Sequence, residues 1–132
     1  MQLVIGLGNP GPRYAPTRHN LGYRVVDALA GRVDAVFARP HPAYLEARMD
    51  GPAGPVVLLK PLTFMNHSGR ALTAWREAQA AADAPAPDAE LLVVCDDLNL
   101  PLGALRIRAG GSAGGQKGLA SVLDAAGTVA VP

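Results

Sequence analysis

At 132 residues, with 49% apolar and 17% charged content, the chain has the size and composition of one globular domain built on a single hydrophobic core. A formal net charge of +1 excludes a bulk basic field, so any contact with nucleic acid has to come from a local cluster of arginine and lysine. Residues 2–7 form a short apolar run broken by Gly8, Asn9, Pro10, Gly11 and Pro12, the pattern of a buried strand entering a rigid loop. The chain starts in this strand without a basic leader and has no run of about 18 apolar residues, so neither a signal peptide nor a membrane span is expected. A helix follows the loop. Thr17 or Asn20 can cap it, and Gly22, Val25, Val26 and Leu29 recur on one helical face as far as Gly31, with Arg24 and Asp27 on the polar side.

Over residues 43–49 the pattern alternates, with Ala43, Leu45, Ala47 and Met49 on one face and Tyr44, Glu46 and Arg48 on the other, as in a half-buried strand. DGPAGP makes a turn, and residues 56–59 pair back as a hairpin that ends at Lys60 and Pro61, because proline cannot continue the ladder. A second helix begins near Ser68, with Ala71, Leu72, Trp75 and Ala78 at helical spacing, and gives way to the connection AAADAPAPDAE. Residues 91–95 form another apolar strand. It carries Cys95, the chain's one cysteine, which excludes an intrachain disulfide and is expected to be a buried, inert thiol in a reducing cytoplasm. Residues 104–108 read as an alternating strand, and Leu119, Val122 and Leu123 mark a final helix after a glycine-rich loop. Strands alternating with helices, without internal repeats, predict a single α/β domain over residues 1–132.

Two patterns carry chemistry. Gly6, Gly8 and Gly11 have the spacing of a dinucleotide-binding loop, but Pro10, Pro12 and Pro16 keep the following residues from opening a helix toward a pyrophosphate. The acidic partner of such a site would be Asp27, which falls inside a helix rather than at a strand end, so the nucleotide reading is disfavoured. Against it stand three polar segments, each following an apolar strand: Asn9 to His19, Asn66, and Asp96. At the C-terminal ends of parallel strands they line one crevice, where a histidine, a carboxylate and two carboxamides suffice for a general base, its orienting acid and a hold on a carbonyl substrate. Each has a plainer alternative: His19 as a helix-start residue, Asn66 as a cap before Ser68, and Asp96 or Asp97 as a turn residue. His41 and His67 lack such context, and no pair of histidines or cysteines has metal-site spacing.

The segments GLGNPGPRYAPTRHNLG, KPLTFMNHSG and CDDLNLPLG, in this order, resemble the three signature segments of bacterial-type peptidyl-tRNA hydrolases, and the resemblance runs from Leu3 to about Leu123. It implies a mixed, mostly parallel twisted sheet flanked by helices. It also implies cofactor-free and metal-free hydrolysis of the ester joining a peptidyl or N-blocked aminoacyl group to the 3′ end of tRNA, recycling tRNA from aborted translation in the cytoplasm. By this resemblance His19, Asp96 and Asn66 are catalytic: His19 activates water, Asp96 orients it, and Asn66 positions water or substrate. Asn9 holds the peptide backbone, and Tyr14 and Met65 line the crevice. The resemblance also implies peptidyl-tRNA as the partner, no membrane, and a monomer.

The resemblance departs in two places. Where the family has G-G-H-N-G the chain has GGQKG, so Gln116 and Lys117 occupy the substrate-binding positions; Gln116 still donates and accepts, whereas Lys117 supplies charge and no acceptor. Lys117 with Arg106 and Arg108 offers a local basic cluster for tRNA phosphates or a solvated surface. The family also continues into a further strand, a lid-like segment and a C-terminal helix, so the fold is expected to be short at its C-terminal side, with an open sheet edge that favours lower stability or self-association. The alternative in another functional class is a non-catalytic RNA-binding relative of the same fold.

Overall fold

The computed structural model describes residues 1–13, 16–82 and 90–132. The expected connection between the second helix and the third apolar strand falls largely on residues 83–89, outside the described residues. Five strands form one sheet: β1 (Gln2–Gly6), β2 (Ala38–His41), β3 (Tyr44–Gly51), β4 (Gly54–Pro61) and β5 (Glu90–Val94), in the order β2-β3-β4-β1-β5. β1 is central to the site. It pairs in parallel with β4, Ile5 opposite Leu59, and with β5, Gly6 opposite Val94. The β2, β3 and β4 strands form an antiparallel meander, closed between β3 and β4 by a two-residue turn from Gly51 to Gly54.

Helices cover both faces, which is why β1 and β4 read as continuous apolar runs rather than alternating ones. Helix α1 (Leu21–Gly31) packs Val26 and Ala30 against Val4, Val56 and Leu58 on one face. Helix α2 (Gly69–Ala81) and helix α3 (Lys117–Ala126) close the other over Leu3, Ile5, Leu7, Val57 and Leu59, with Leu72, Trp75 and Val122 between them. β3 serves both layers. Tyr44 is buried in the second and Ala47 in the first, so this strand is covered on both sides where its alternation had suggested one.

Two local expectations are corrected, and one strand has no counterpart among them. Among the described strands β5 pairs only with β1, and on its outer edge the Val93 N–H donates to the Pro132 carbonyl at 2.7 Å. It is therefore half-buried rather than buried. Residues 104–108 join no ladder: Leu105 is 88% and Ile107 82% exposed, since alternation records which face would be buried but does not supply a partner strand. β2 has no apolar pattern at all. ARPH is an exposed edge strand with an irregular register, of the kind in which proline is tolerated.

Close backbone approach fixes how the helices sit. At Gly22 an added Cβ would lie 2.3 Å from the Leu7 nitrogen and 2.4 Å from the Val94 oxygen, so α1 begins directly over the C-terminal ends of β1 and β5. At Gly69 it would lie 2.2 Å from the Ser121 carbonyl oxygen, and the Gly69 N–H donates to Ser121 Oγ at 2.9 Å, which ties α2 to α3. Replacing Gly22 by alanine forces backbone apart where no side chain can yield. The expected loss is about 3 kcal/mol of unfolding free energy in urea titration; a loss below about 0.5 kcal/mol, the range of a neutral surface change, would contradict this packing.

Candidate active site

The parallel register sets the site. Because Gly6 lies opposite Val94 and the Leu7 N–H donates to the Val94 carbonyl at 2.9 Å, the chain leaves β1 and β5 side by side, delivering Asn9 and Asp96 to the same end of the sheet. β4 ends beside them and continues into a single 3-10 turn, Met65–His67, which leads to α2. A second 3-10 turn, Arg18–Asn20, leads into α1 and carries His19.

Contacts join these segments into a closed ring. The Asn9 N–H donates to Asn20 Oδ1 at 2.7 Å, and Asn20 Nδ2 donates back to the Asn9 carbonyl at 3.0 Å. Asn9 Oδ1 accepts from the Met65 N–H at 2.6 Å. Gln116 Nε2 lies 3.5 Å from Met65 Sδ and 3.4 Å from Asp96 Oδ1. His19 Nδ1 stands 3.0 Å from Asp96 Oδ2, and the peptide bond from His19 to Asn20 completes the circuit. Asp96 is 6% exposed and His19 51%, so the carboxylate is held inside while the imidazole reaches solvent.

This geometry assigns the histidine tautomer. A carboxylate accepts and does not donate, so the proton of a neutral His19 sits on Nδ1 and the lone pair on Nε2, the nitrogen left for a substrate or water. Asn9 is assigned in the same way. Only its oxygen can meet the Met65 N–H, which leaves its amide NH₂ as a donor.

Of the residues singled out in the sequence, His19, Asp96, Asn9, Met65 and Gln116 are thus brought together. Asn66 and Lys117 are exposed, each one residue beyond a member of the ring, and neither side chain bonds a described residue. Tyr14 lies outside the described residues. Cys95, beside Asp96, is half-buried; burial first, then Asp96 and Asp97, push its thiol up to about 11, so it stays protonated at neutral pH. Among the described residues no group of three His, Cys, Asp or Glu is placed to hold a metal ion.

Sequence reasoning missed Asn20. It stands where a helix cap stands, but it makes no capping bond to α1 and instead brackets the backbone of Asn9. Lys60, at the head of the KPLTFMN segment, is also structural: Nζ bonds Asp27 at 2.8 Å and lies 5.0 Å from the Tyr23 ring centre. Asn20 and Lys60 line a cleft of about 320 Å³ with Asn9, Arg24 and Asp27, which neither His19 nor Asp96 enters.

A parallel-centred α/β fold with a histidine held against a buried carboxylate at its strand ends is the class of protein that the structure defines. The sequence model of the family described as peptidyl-tRNA hydrolase matches residues 3–132, and the chain belongs to that family. A peptidyl-tRNA hydrolase of Chlorobium phaeobacteroides is 47% identical over 97% of this chain and 65% of its own length. That of Symbiobacterium thermophilum is 47% identical over 99% of this chain and 68% of its own. A solved peptidyl-tRNA hydrolase from Acinetobacter baumannii, 30% identical, superposes with a TM-score of 0.80 over all of this chain and 63% of that one. The chain therefore spans about 65% of the length of the Chlorobium relatives it matches.

Removing the Asn20 bracket leaves a part-buried N–H and C=O of Asn9 without their partners. Asn20→Ala is expected to cost about 2 kcal/mol of stability by chemical denaturation; a variant as stable as the parent would show that water satisfies Asn9 equally well.

Proposed function

We propose that the chain hydrolyses the ester between a peptidyl or N-blocked aminoacyl group and the 3′ end of tRNA, as a monomer in the cytoplasm. The observation that carries this reading is the His19 Nδ1 contact to buried Asp96, which leaves Nε2 as a base at the open side of the site. Among the described residues no helix is long and apolar enough to cross a membrane.

Nε2 of His19 takes a proton from water as its oxygen attacks the ester carbonyl carbon. Asp96 stabilises the imidazolium that forms, and the tetrahedral intermediate collapses by breaking the bond to the ribose oxygen. The imidazolium returns its proton to that oxygen, so ester and water become a carboxylic acid and a free ribose hydroxyl. An ester is activated enough for this route, and no nucleophilic serine or cysteine is needed; Cys95, held as a thiol, stays out of it. The NH₂ of Asn9 holds a carbonyl of the blocking group, and Asn66 positions water or substrate. Met65, Gln116 and Lys117 meet the substrate in the crevice, a role that the resemblance in sequence also gives to Tyr14. A free α-ammonium would place a donor against the Asn9 donor, which favours N-blocked substrates.

The test is release of free tRNA from N-acetylaminoacyl-tRNA by this chain. His19→Ala should lower kcat by about 10² to 10⁴, the range for a positioned base, at nearly unchanged stability. A loss of less than a few fold removes His19 from this role. Equal rates on blocked and free aminoacyl-tRNA would refute the assigned selectivity, and tRNA binding without turnover in the folded parent would favour the RNA-binding alternative.

A further inference from the structure

Gln116 is engaged at every polar atom of its side chain. Oε1 accepts from the Leu119 N–H at 2.7 Å, the N-terminal cap of α3. That bond decides which way the amide faces: turned over, it would set its NH₂ against the Leu119 N–H and its oxygen against the Asp96 carboxylate, two repulsive contacts in place of two attractive ones. With the oxygen fixed on the helix, Nε2 has to point at Asp96 Oδ1, 3.4 Å away, and at Met65 Sδ, 3.5 Å away. Asp96 is nearly closed to solvent, and His19 occupies its other oxygen.

We propose that Gln116 is a positioning residue for Asp96, holding the carboxylate's rotation from the start of α3 so that Oδ2 stays on His19 Nδ1. One amide then serves two ends: it caps the helix and sets the acid that orients the base. The proposal rests on the reading of His19 as the base, and it concerns a position where the chain carries glutamine in place of the family's histidine.

Two substitutions separate capping from positioning. Serine caps a helix well but is too short to reach Asp96, so Gln116→Ser keeps α3 and loses the hold on the carboxylate. Glutamate reaches and caps, but turns a donor into a second carboxylate beside Asp96. Gln116→Ser is expected to keep the parent's melting temperature while kcat on N-acetylaminoacyl-tRNA falls about fivefold or more, with KM within about twofold. Gln116→Glu is expected to move the His19 titration, followed by its imidazole NMR signals, up by about one pH unit or more. Parent kcat in the serine variant, or a His19 titration unmoved in the glutamate variant, would overturn the proposal. The NMR titration needs no turnover: if the parent proves inactive, the functional reading fails by itself and the titration still decides the place of Gln116.

Discussion

The contact between His19 Nδ1 and Asp96 Oδ2 is the interaction around which the rest of the structure is arranged, and it depends on the register of β1 against β5. His19 sits on a 3-10 turn of three residues that has little hold of its own. Its position comes from Asn20, which clamps the turn to Asn9, and from Gly22, whose missing side chain lets α1 rest on the backbone of Leu7 and Val94. Asp96 follows two residues after Val94. A shift of β5 by one residue would invert its side chains across the sheet and carry Asp96 away from the imidazole.

The same segments bear the packing and the chemistry. Asn9 receives Asn20 with its backbone and the Met65 N–H with its side chain, which binds the exits of β1 and β4 to each other. Lys60 and Tyr23 secure that junction from the α1 side: Lys60 pairs with Asp27, and the Tyr23 hydroxyl donates to the Pro61 carbonyl. Burial, with Asp27 adding to it, raises the Tyr23 pKa, so the hydroxyl remains a donor. On the opposite layer the Gly69 to Ser121 bond brings the start of α3 onto the Met65 turn, placing Gln116 within reach of both Met65 and Asp96.

Much of this was legible in the sequence. The apolar runs of β1 and β4, the hairpin between β3 and β4, and the three helices follow from local pattern, and polar residues after parallel strands name the crevice before any coordinate does. What remained hidden was partnership. Asn20 before a helix looks like a cap whether its side chain bonds that helix or a loop eleven residues back. Residues 104–108 alternate like a strand, yet Leu105 and Ile107 are exposed, because pairing depends on a neighbour that local pattern does not report. Gln116 and Asp96, twenty positions apart, meet only through the packing of α3.

The most direct test of the assembled site is the tautomer of His19 in its neutral form, read from two-bond proton–nitrogen correlations; the chain has three histidines, so the signal can be assigned by substitution. With Asp96 accepting from Nδ1, the Nδ1–H tautomer should dominate, leaving Nε2 unprotonated as the proposed role of His19 requires. A dominant Nε2–H tautomer would mean that Asp96 does not hold His19 in solution, and it would contradict the account at its centre.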